Sequence, residues 1–314
     1  MQWLDLVARD PVPWLLDPGN PSARFQTLKH IFRKPREVLD TEQQHILTWQ
    51  PVEMLRRHWG NHNFWGRAGN PYYGGPLGNF GTLYLLTQLG APTSHEVEPT
   101  CEDLLSKGRR PDGLFAPEGV SSAPWLCYTG IALQILEHFG YGDDPRVLTA
   151  WATVLKTLQQ APEDLNCDID NRDCRAGAVK LLRACIHREQ GLGVPTDEEI
   201  IERLCTHLLH HRYDWRRDDA DWLRMRFPRF YDADLVECLH VLAHTRYRDH
   251  PTAQDMAKQM LTLQDASGRW SKLKATPITV EERLHQPSRW LTFEAIHTLM
   301  LLYGDTMYAP RRPA

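Results

Sequence analysis

Apolar residues recur along the chain at the three- and four-residue spacing of helices, and short turns rich in Gly, Pro or Asp separate these segments. One group of segments is strongly apolar and ends in small residues or glycine: 23–32, 80–90, 129–140, 176–185, 232–243 and 291–304. A second, amphipathic group alternates with the first: 37–49, 94–107, 144–159, 196–211 and 251–264. This pattern predicts an all-α fold in which a pair of helices repeats about every 50 residues.

The alternation indicates two concentric layers, with the strongly apolar helices in an inner ring and the amphipathic helices in an outer ring. An open solenoid of the same repeats is the alternative, and it would need polar capping repeats at both ends. The sequence shows no such caps, whereas a closed ring has no ends to cover. We therefore expect a single domain over residues 1–314, with the repeats at about 21–304.

Composition excludes several classes of protein. The chain has 36 basic and 40 acidic residues and a net charge of -4, so there is no overall electrostatic attraction to nucleic acid or to anionic membranes. The longest run without charge, about 68–94, is interrupted by glycines and prolines, which argues against a transmembrane helix. The first residues lack the apolar core of a signal peptide, and the seven cysteines form no closely spaced pairs. We therefore expect a cytoplasmic protein.

Two short motifs add a resemblance to the helical period. They are LLSKGRRPDGLF at Leu104–Phe115 and the turn Gln264–Trp270, which is similar to the Gln/Trp turns of a known superfamily. Together with the period, they resemble the α/α-toroid superfamily of terpenoid cyclases and protein prenyltransferases, and most closely its bacterial prenyltransferase-like (squalene-cyclase-like) proteins. The resemblance runs from about Pro21 to Gly304.

The resemblance implies a barrel of about six inner and six outer helices around an apolar, aromatic-lined cavity. In the family the inner helices run parallel, so their N-termini meet at one mouth. Cys127 opens one inner helix in the sequence CYTG, and Cys174 opens the next in CRAG. A parallel arrangement brings both cysteines to one height at this mouth, and Cys167 lies in the loop before Cys174.

Cysteines that converge in this way suggest a metal site, because zinc takes tetrahedral sets of S, N and O ligands. In protein prenyltransferases an Asp, a Cys and a His bind zinc at this end of the toroid. Asp173-Cys174 is similar to their Asp-x-Cys element, but it lacks the residue between the Asp and the Cys. Because the spacing differs from the family's element, we instead predict a zinc site of Cys127, Cys167 and Cys174, with Asp173, Asp170 or a histidine as the candidate fourth ligand. The alternative is a set of buried cysteines that only pack in the core.

Asp168-Ile-Asp170-Asn171 resembles the Asp-x-Asp-Asp motif of class II terpene cyclases, whose middle carboxylic acid protonates an alkene or epoxide. The resemblance implies that Asp170 is the general acid, a role that needs a raised pKa and a dry cavity. Here the last position is Asn171, and the motif precedes the inner helix by several residues. The alternative is an acidic turn whose side chains bond their own backbone.

Aromatic residues gather near the starts of the inner helices. The predicted cavity residues are Trp65, Tyr73, Phe80, Trp125, Tyr128, Phe230, Tyr231 and Trp290. Their faces could stabilise a carbocation or enclose an isoprenoid chain, and packing between turns and helix ends is the alternative. Arg229 belongs to a stretch of arginines and aspartates, 212–230, that we expect to form an internally paired surface loop rather than an anion site.

These patterns predict a protein whose central cavity binds a hydrophobic, isoprenoid-like small molecule, with zinc near the mouth. If the protein is an enzyme, prenyl transfer or terpene cyclisation is the expected reaction. A non-catalytic binding or scaffold module, with a structural zinc or no metal, is the alternative. The number of protein ligands on the zinc distinguishes the two, since an open position favours catalysis.

Overall fold

The computed structural model of the protein describes residues 3–66, 77–117, 126–160, 174–209, 222–277, 280–304 and 308. These residues contain α-helices and no β-strand, which confirms the all-α fold. The helices are α1 (Val12–Leu15), α2 (Pro21–His30), α3 (Arg36–Leu47), α4 (Gln50–His62), α5 (Asn79–Leu89), α6 (Val97–Asp103), α7 (Leu126–His138), α8 (Pro145–Gln160), α9 (Arg175–Leu192), α10 (Glu198–Leu209), α11 (Leu235–Ala243), α12 (Pro251–Thr262) and α13 (Arg289–Tyr303). Within these ranges, no helix has both the length and the hydropathy needed to span a bilayer.

Six helices form a closed inner ring in the order α2, α5, α7, α9, α11 and α13. Each helix from α5 onwards contacts the next one in this order as far as α2. The ring closes between α2 and α5, where Ser22 Oγ donates a hydrogen bond to Leu89 O over 2.8 Å. The helices α3, α4, α6, α8, α10 and α12 lie outside it. The structure therefore confirms the α/α toroid, and the closed ring excludes the open solenoid.

Neighbouring inner helices run in the same direction. Near the helix starts, the ring of Phe80 on α5 stacks on Tyr128 of α7 with a centroid distance of 3.8 Å. At the other end of the same pair, His138 Nε2 lies 2.8 Å from Ala91 O. Between α11 and α13, His240 Nδ1 lies 3.0 Å from Thr298 Oγ1.

The two layers differ in which faces they bury. Every residue of α5 except Gln88 is buried, because the helix packs both towards the ring and against the outer layer. The outer helix α8 buries only one stripe, which includes Val147, Trp151 and Val154, at helical spacing. This difference is the physical reason why the strongly apolar segments of the sequence become the inner ring.

Glycines bring α7 and α9 into close contact. A Cβ atom on Gly130 of α7 would lie 2.7 Å from the backbone nitrogen of Leu181, and one on Gly177 of α9 would lie 3.0 Å from Leu126 Cβ. Gln134 Nε2 adds a hydrogen bond of 2.9 Å to Lys180 O across the same interface. The two inner helices that begin with cysteines are therefore joined almost backbone to backbone.

One outer helix, α4, has no counterpart in the sequence analysis. It begins at Gln50-Pro51, where proline suits the first helical turn, but it buries only Val52 fully. The predicted helix α3 likewise buries only Ile46 fully, so burial does not distinguish the two helices. The remaining predicted segments all coincide with a helix, although α9 extends to Leu192, beyond its predicted end at 185.

Candidate functional site

A cavity of about 590 Å³ occupies the centre of the inner ring. Its wall comes mainly from the C-terminal halves of the inner helices and from the turns that follow them. His30 is the last residue of α2, Gly90 follows α5, Gly140 follows α7, and Leu192 ends α9. The cavity therefore lies towards the end of the ring where the helices finish, and not at the N-terminal mouth that the resemblance implies.

The chain that precedes α11 packs inside the N-terminal half of the ring. The backbone nitrogen of Arg229 donates to Gln88 Oε1, and Gln88 Nε2 donates back to Arg229 O, both over 2.9 Å. Phe230 then meets the ring of Tyr84 edge-on at 6.2 Å, and Tyr231 lies over Tyr128 at 6.3 Å. These contacts hold the segment against α5 and α7 inside the ring.

The aromatic residues predicted for the cavity separate into two groups. Trp290 lines the cavity, whereas Phe80, Tyr128, Phe230 and Tyr231 pack against one another in the N-terminal half. The indole of Trp65 is buried beside α4 and donates to Leu55 O over 2.8 Å, away from the lining. Tyr73 and Trp125 lie outside the described residues.

The lining is mixed, although the sequence predicts an apolar cavity. Its aromatic side consists of Phe25, Phe227, Trp290 and Phe293, and its polar side includes His30, His138, His187, His240, His297, Glu137, Arg183 and Glu294. The physical reason is the two-layer packing. The apolar surface of the inner helices is used between helices and layers, so polar side chains on these helices face the cavity.

Burial lowers the pKa of the imidazoles around the cavity. The pKa of His138 falls to about 4 and that of His297 to about 3. The pKa values of His30, His187 and His240 lie well below the usual value for the same reason, and neighbouring imidazoles and cations lower some of them further. These side chains are therefore neutral at pH 7, where each can accept or donate a hydrogen bond or bind a metal ion.

Charged pairs form the floor of the cavity, between α9, α11 and the segment before α11. Lys180 Nζ donates to both oxygens of Glu237 at 2.8 and 2.9 Å, and neither side chain is exposed by more than 1%. Arg229 binds Asp234 through two hydrogen bonds of 3.0 Å. Arg229 is thus paired internally, as the sequence predicts, but it is buried inside the ring and not in a surface loop.

Glu294 of α13 connects these pairs to the cavity. It accepts from Arg183 Nη1 over 2.8 Å and lies 2.5 Å from Arg229 Nη1. Arg183 and Glu294 both line the cavity, while Lys180 and Asp234 lie behind them. Three cations thus meet three carboxylates, so the floor is polar and polarising but carries no net charge.

Two of the predicted metal ligands lie side by side. Cys127 and Cys174 are buried thiols at the starts of the adjacent helices α7 and α9. A Cβ on Gly177 would approach both Cys174 Sγ, at 2.6 Å, and Cys127 N, at 3.3 Å. Cys167, Asp170 and Asp173 lie outside the described residues, so the zinc site and the general acid predicted from the resemblance stay predictions.

The sequence analysis did not single out the histidines of the inner helices. His240, His244 and His297 bring three imidazoles together, with the nearest ligand atoms all within 4.8 Å of one another. A signal was present: His240 and His244 stand four residues apart beside a strongly apolar helix, where a polar residue needs a partner. The partner on α13 could not be inferred, since it depends on the register between two helices distant in sequence.

No family model and no curated protein matches the chain. Among solved structures, similar ones are those of the type II terpene cyclase MstE from Scytonema. The apo enzyme is 14% identical, with a TM-score of 0.33, over 92% of this chain and 97% of that chain. A variant of that enzyme bound to its substrate, geranylgeranyl dihydroxybenzoate, is 13% identical, with a TM-score of 0.34 and the same coverage. Similarity at this level does not assign the chain to a family.

Proposed function

We propose that this protein binds a hydrophobic, isoprenoid-like small molecule in its central cavity and acts on it as an enzyme. The observation that carries the proposal is a cavity lined by both aromatic and polar side chains, inside a closed ring of helices. Its volume of about 590 Å³ falls within the range of roughly 300–1,000 Å³ that is typical of small-molecule sites.

The aromatic side suits a hydrocarbon chain. Phe227 stacks on Trp290 with a centroid distance of 4.4 Å and an angle of 5° between the rings. The indole nitrogen of Trp290 donates to Ser22 Oγ over 2.9 Å, which fixes the orientation of this ring. A rigid, flat wall of this kind excludes water and can stabilise positive charge on a bound hydrocarbon through its π faces.

The polar side suits an anionic or oxygen-rich end of the same ligand. Lys29 of α2 lines the cavity, and no ion pair involves it within the described part of the chain. Arg183 and Gln190 of α9 line the cavity as well. A diphosphate or carboxylate bound here would have Lys29 as its nearest uncommitted cation, since Arg183 is paired with Glu294.

The proposed reaction is prenyl transfer or terpene cyclisation. In the cyclisation, Asp170 would supply the proton as general acid. In the transfer, a zinc ion held by Cys127, Cys167 and Cys174 would activate the nucleophile. The compartment we propose is the cytoplasm, which is supported by the buried cysteines of the described ranges, all of them thiols.

Calorimetric titration with geranylgeranyl diphosphate tests the proposal. We expect saturable binding that weakens about tenfold or more, about 1.4 kcal/mol, in Trp290→Leu, because this ring forms the aromatic wall. Trp65→Leu is the matched control: this indole is equally buried but lies outside the cavity, so binding should stay within about twofold. Equal loss in both folded variants, or no binding of diphosphate or alcohol by the wild type, would contradict the proposal.

Product analysis separates the reaction classes. Extracts of the same incubations, examined by gas chromatography and mass spectrometry, should contain a cyclised or transferred prenyl group. Asp170→Asn should abolish cyclisation and leave geranylgeranyl diphosphate binding intact. Unchanged product in Asp170→Asn would remove this residue as the acid, and binding without any product would make the protein a binding module.

A further inference from the structure

Three histidines stand together at the central cavity, and two of them, His240 and His297, line it. His240 lies on α11, His244 directly follows that helix, and His297 lies on the adjacent helix α13. Their ring centroids are 4.8, 5.2 and 5.4 Å apart, so the three imidazoles form a nearly equilateral triangle.

The helical register explains this convergence. Residues four apart lie on the same face of a helix, which places the imidazoles of His240 and His244 one above the other. The parallel neighbour α13 brings His297 opposite the gap between them, because Thr298 is held against His240 by a contact of 3.0 Å. Two histidines of one helix and a third from its neighbour are an arrangement that suits a metal ion.

The hydrogen bonds of Thr298 determine the tautomer of His240. The single hydroxyl proton of Thr298 is donated to Glu294 O over 2.7 Å, so Oγ1 must accept in its contact with His240 Nδ1. His240 therefore carries its proton on Nδ1 and presents the lone pair of Nε2. An imidazole held in this way by an outer partner is the form in which histidine ligates metals.

The other two imidazoles also have nitrogen atoms available. His244 Nε2 is buried, and no hydrogen-bond partner for it occurs in the described residues. A buried nitrogen without a partner costs free energy, which a bound ion would remove. His297 contacts His240, His244 and the aromatic side of the cavity through its ring.

We propose that His240, His244 and His297 bind a zinc ion in the wall of the central cavity. Tetrahedral zinc at about 2.0–2.1 Å from each nitrogen needs the nitrogens about 3.4 Å apart. All three ligand atoms already lie within 4.8 Å of one another, so small rotations of the imidazoles complete the site. An all-imidazole set without thiolate or carboxylate suits zinc and excludes calcium and magnesium, which require oxygen ligands.

Three protein ligands leave the fourth position of a tetrahedral ion open. His240 and His297 line the cavity, so this position is reached from it and would take water or the anionic end of a bound molecule. This site is separate from the cysteines at the starts of α7 and α9. It also needs no organic ligand, so Zn²⁺ alone tests it, and the result does not depend on the proposed function.

The first experiment measures zinc per chain after chelation, reloading with Zn²⁺ and gel filtration. Wild type should retain about one zinc in this site, and His244→Ala and His297→Ala should each lose it. His187→Gln is the matched control, because His187 is a half-buried imidazole of the same cavity outside the triangle, and it should retain the zinc. The double variant Cys127→Ser, Cys174→Ser should also retain it.

The second experiment tests the positioning role of Thr298. Thr298→Val preserves shape but removes the acceptor for His240 Nδ1, so zinc affinity should fall about 10- to 100-fold while the fold is retained. In the cobalt-loaded protein, the visible absorption bands should indicate four-coordination and should shift when azide occupies the open position. Circular dichroism of every variant distinguishes loss of metal from loss of fold.

Three outcomes would overturn the proposal. The first is a folded wild type that binds no Zn²⁺ at micromolar concentration. The second is zinc that remains in His244→Ala and His297→Ala but leaves in the cysteine double variant, which would assign the metal to the cysteines. The third is wild-type zinc affinity in Thr298→Val, together with cobalt bands that azide does not change.

Discussion

At the scale of single residues, the centre of the ring is unusual for the charge that it buries. Lys180 has no exposed surface, and its partner Glu237 is almost equally inaccessible. Removing two charges from water costs several kcal/mol each, and their attraction offsets this only with good geometry and further hydrogen bonds. Here Arg183 and Arg229 also lie 3.7 Å from Glu237, so the carboxylate is surrounded by cations.

Lys180→Met should therefore destabilise the protein strongly. The variant leaves Glu237 buried without its closest partner, and the free energy of unfolding in urea should fall by about 3–5 kcal/mol. Lys258→Met is the matched control, because Lys258 forms an exposed pair with Asp255 at 3.0 Å and should cost less than about 1 kcal/mol. Adding Glu237→Gln to Lys180→Met should restore part of the loss, and similar small effects of the two lysine variants would contradict this account.

Contacts between single residues were the part of the structure that the sequence predicted least well. Cysteines at the starts of two repeats could be paired from the sequence alone, because repeats put equivalent positions at equal heights. The structure places Cys127 and Cys174 at the starts of the neighbouring helices α7 and α9, and the zinc site itself stays a prediction. The contact of His240 with Thr298 follows from the register of α11 against α13, and the sequence carries no local sign of that register.

At the scale of helices, the interface between α7 and α9 depends on the absence of side chains. A Cβ atom added to Gly130 would lie 2.7 Å from backbone atoms of both Lys180 and Leu181. Backbone atoms cannot rotate away as a side chain can, so any larger residue must separate the helices. This separation would also move Gln134, which bonds Lys180 O.

Gly130→Ala should consequently destabilise the fold, although alanine is the better helix former. We expect a loss of about 1–3 kcal/mol from overpacking. Gly60→Ala in α4 is the matched control, since nothing lies within 4 Å of its added methyl group, and it should gain about 0.5–1 kcal/mol from helix propensity. Thermal unfolding of both variants measures the difference. A Gly130→Ala protein as stable as Gly60→Ala would show that the two helices are not this close.

Helices were predictable where their burial was extreme. The inner segments are mostly apolar, and each coincides with a helix of the ring, as do the amphipathic segments of the outer layer. α4 was not predicted, although it buries one residue fully, Val52, as the predicted helix α3 does with Ile46. The location of the cavity was not predicted either. It depends on where the non-helical segment with Phe230 and Tyr231 packs inside the ring.

At the scale of the whole molecule, ring closure creates an interior that is polar at its centre and apolar around it. Histidines on α2, α7, α9, α11 and α13 face one another there, and burial is the main cause that lowers the pKa of each. Arg183 of α9 and Lys29 of α2 lower some of these pKa values further. Folding therefore keeps a set of imidazoles neutral that the unfolded chain would protonate in mild acid.

This linkage predicts an acid-sensitive fold for the zinc-free protein. The unfolded chain binds a proton per histidine below a pKa of about 6.5, whereas His138 and His244 in the folded protein bind theirs only at about 4, and His297 at about 3. Between these values the unfolded state holds more protons, so the free energy of unfolding should be greatest above pH 6.5. It should decrease by several kcal/mol as the pH falls towards 4.

Urea unfolding of the chelator-treated protein at half-unit steps from pH 7.5 to 4.5 measures this decrease. His138→Gln should reduce the slope of the free energy of unfolding against pH, because glutamine does not titrate. The reduction should be at most the slope due to one proton, about 1.4 kcal/mol per pH unit. His58→Gln, on the exposed side of α4, is the matched control and should keep the wild-type slope. A stability that is constant over this range would mean that the imidazoles are solvated, and the cavity would then be an open, water-filled channel.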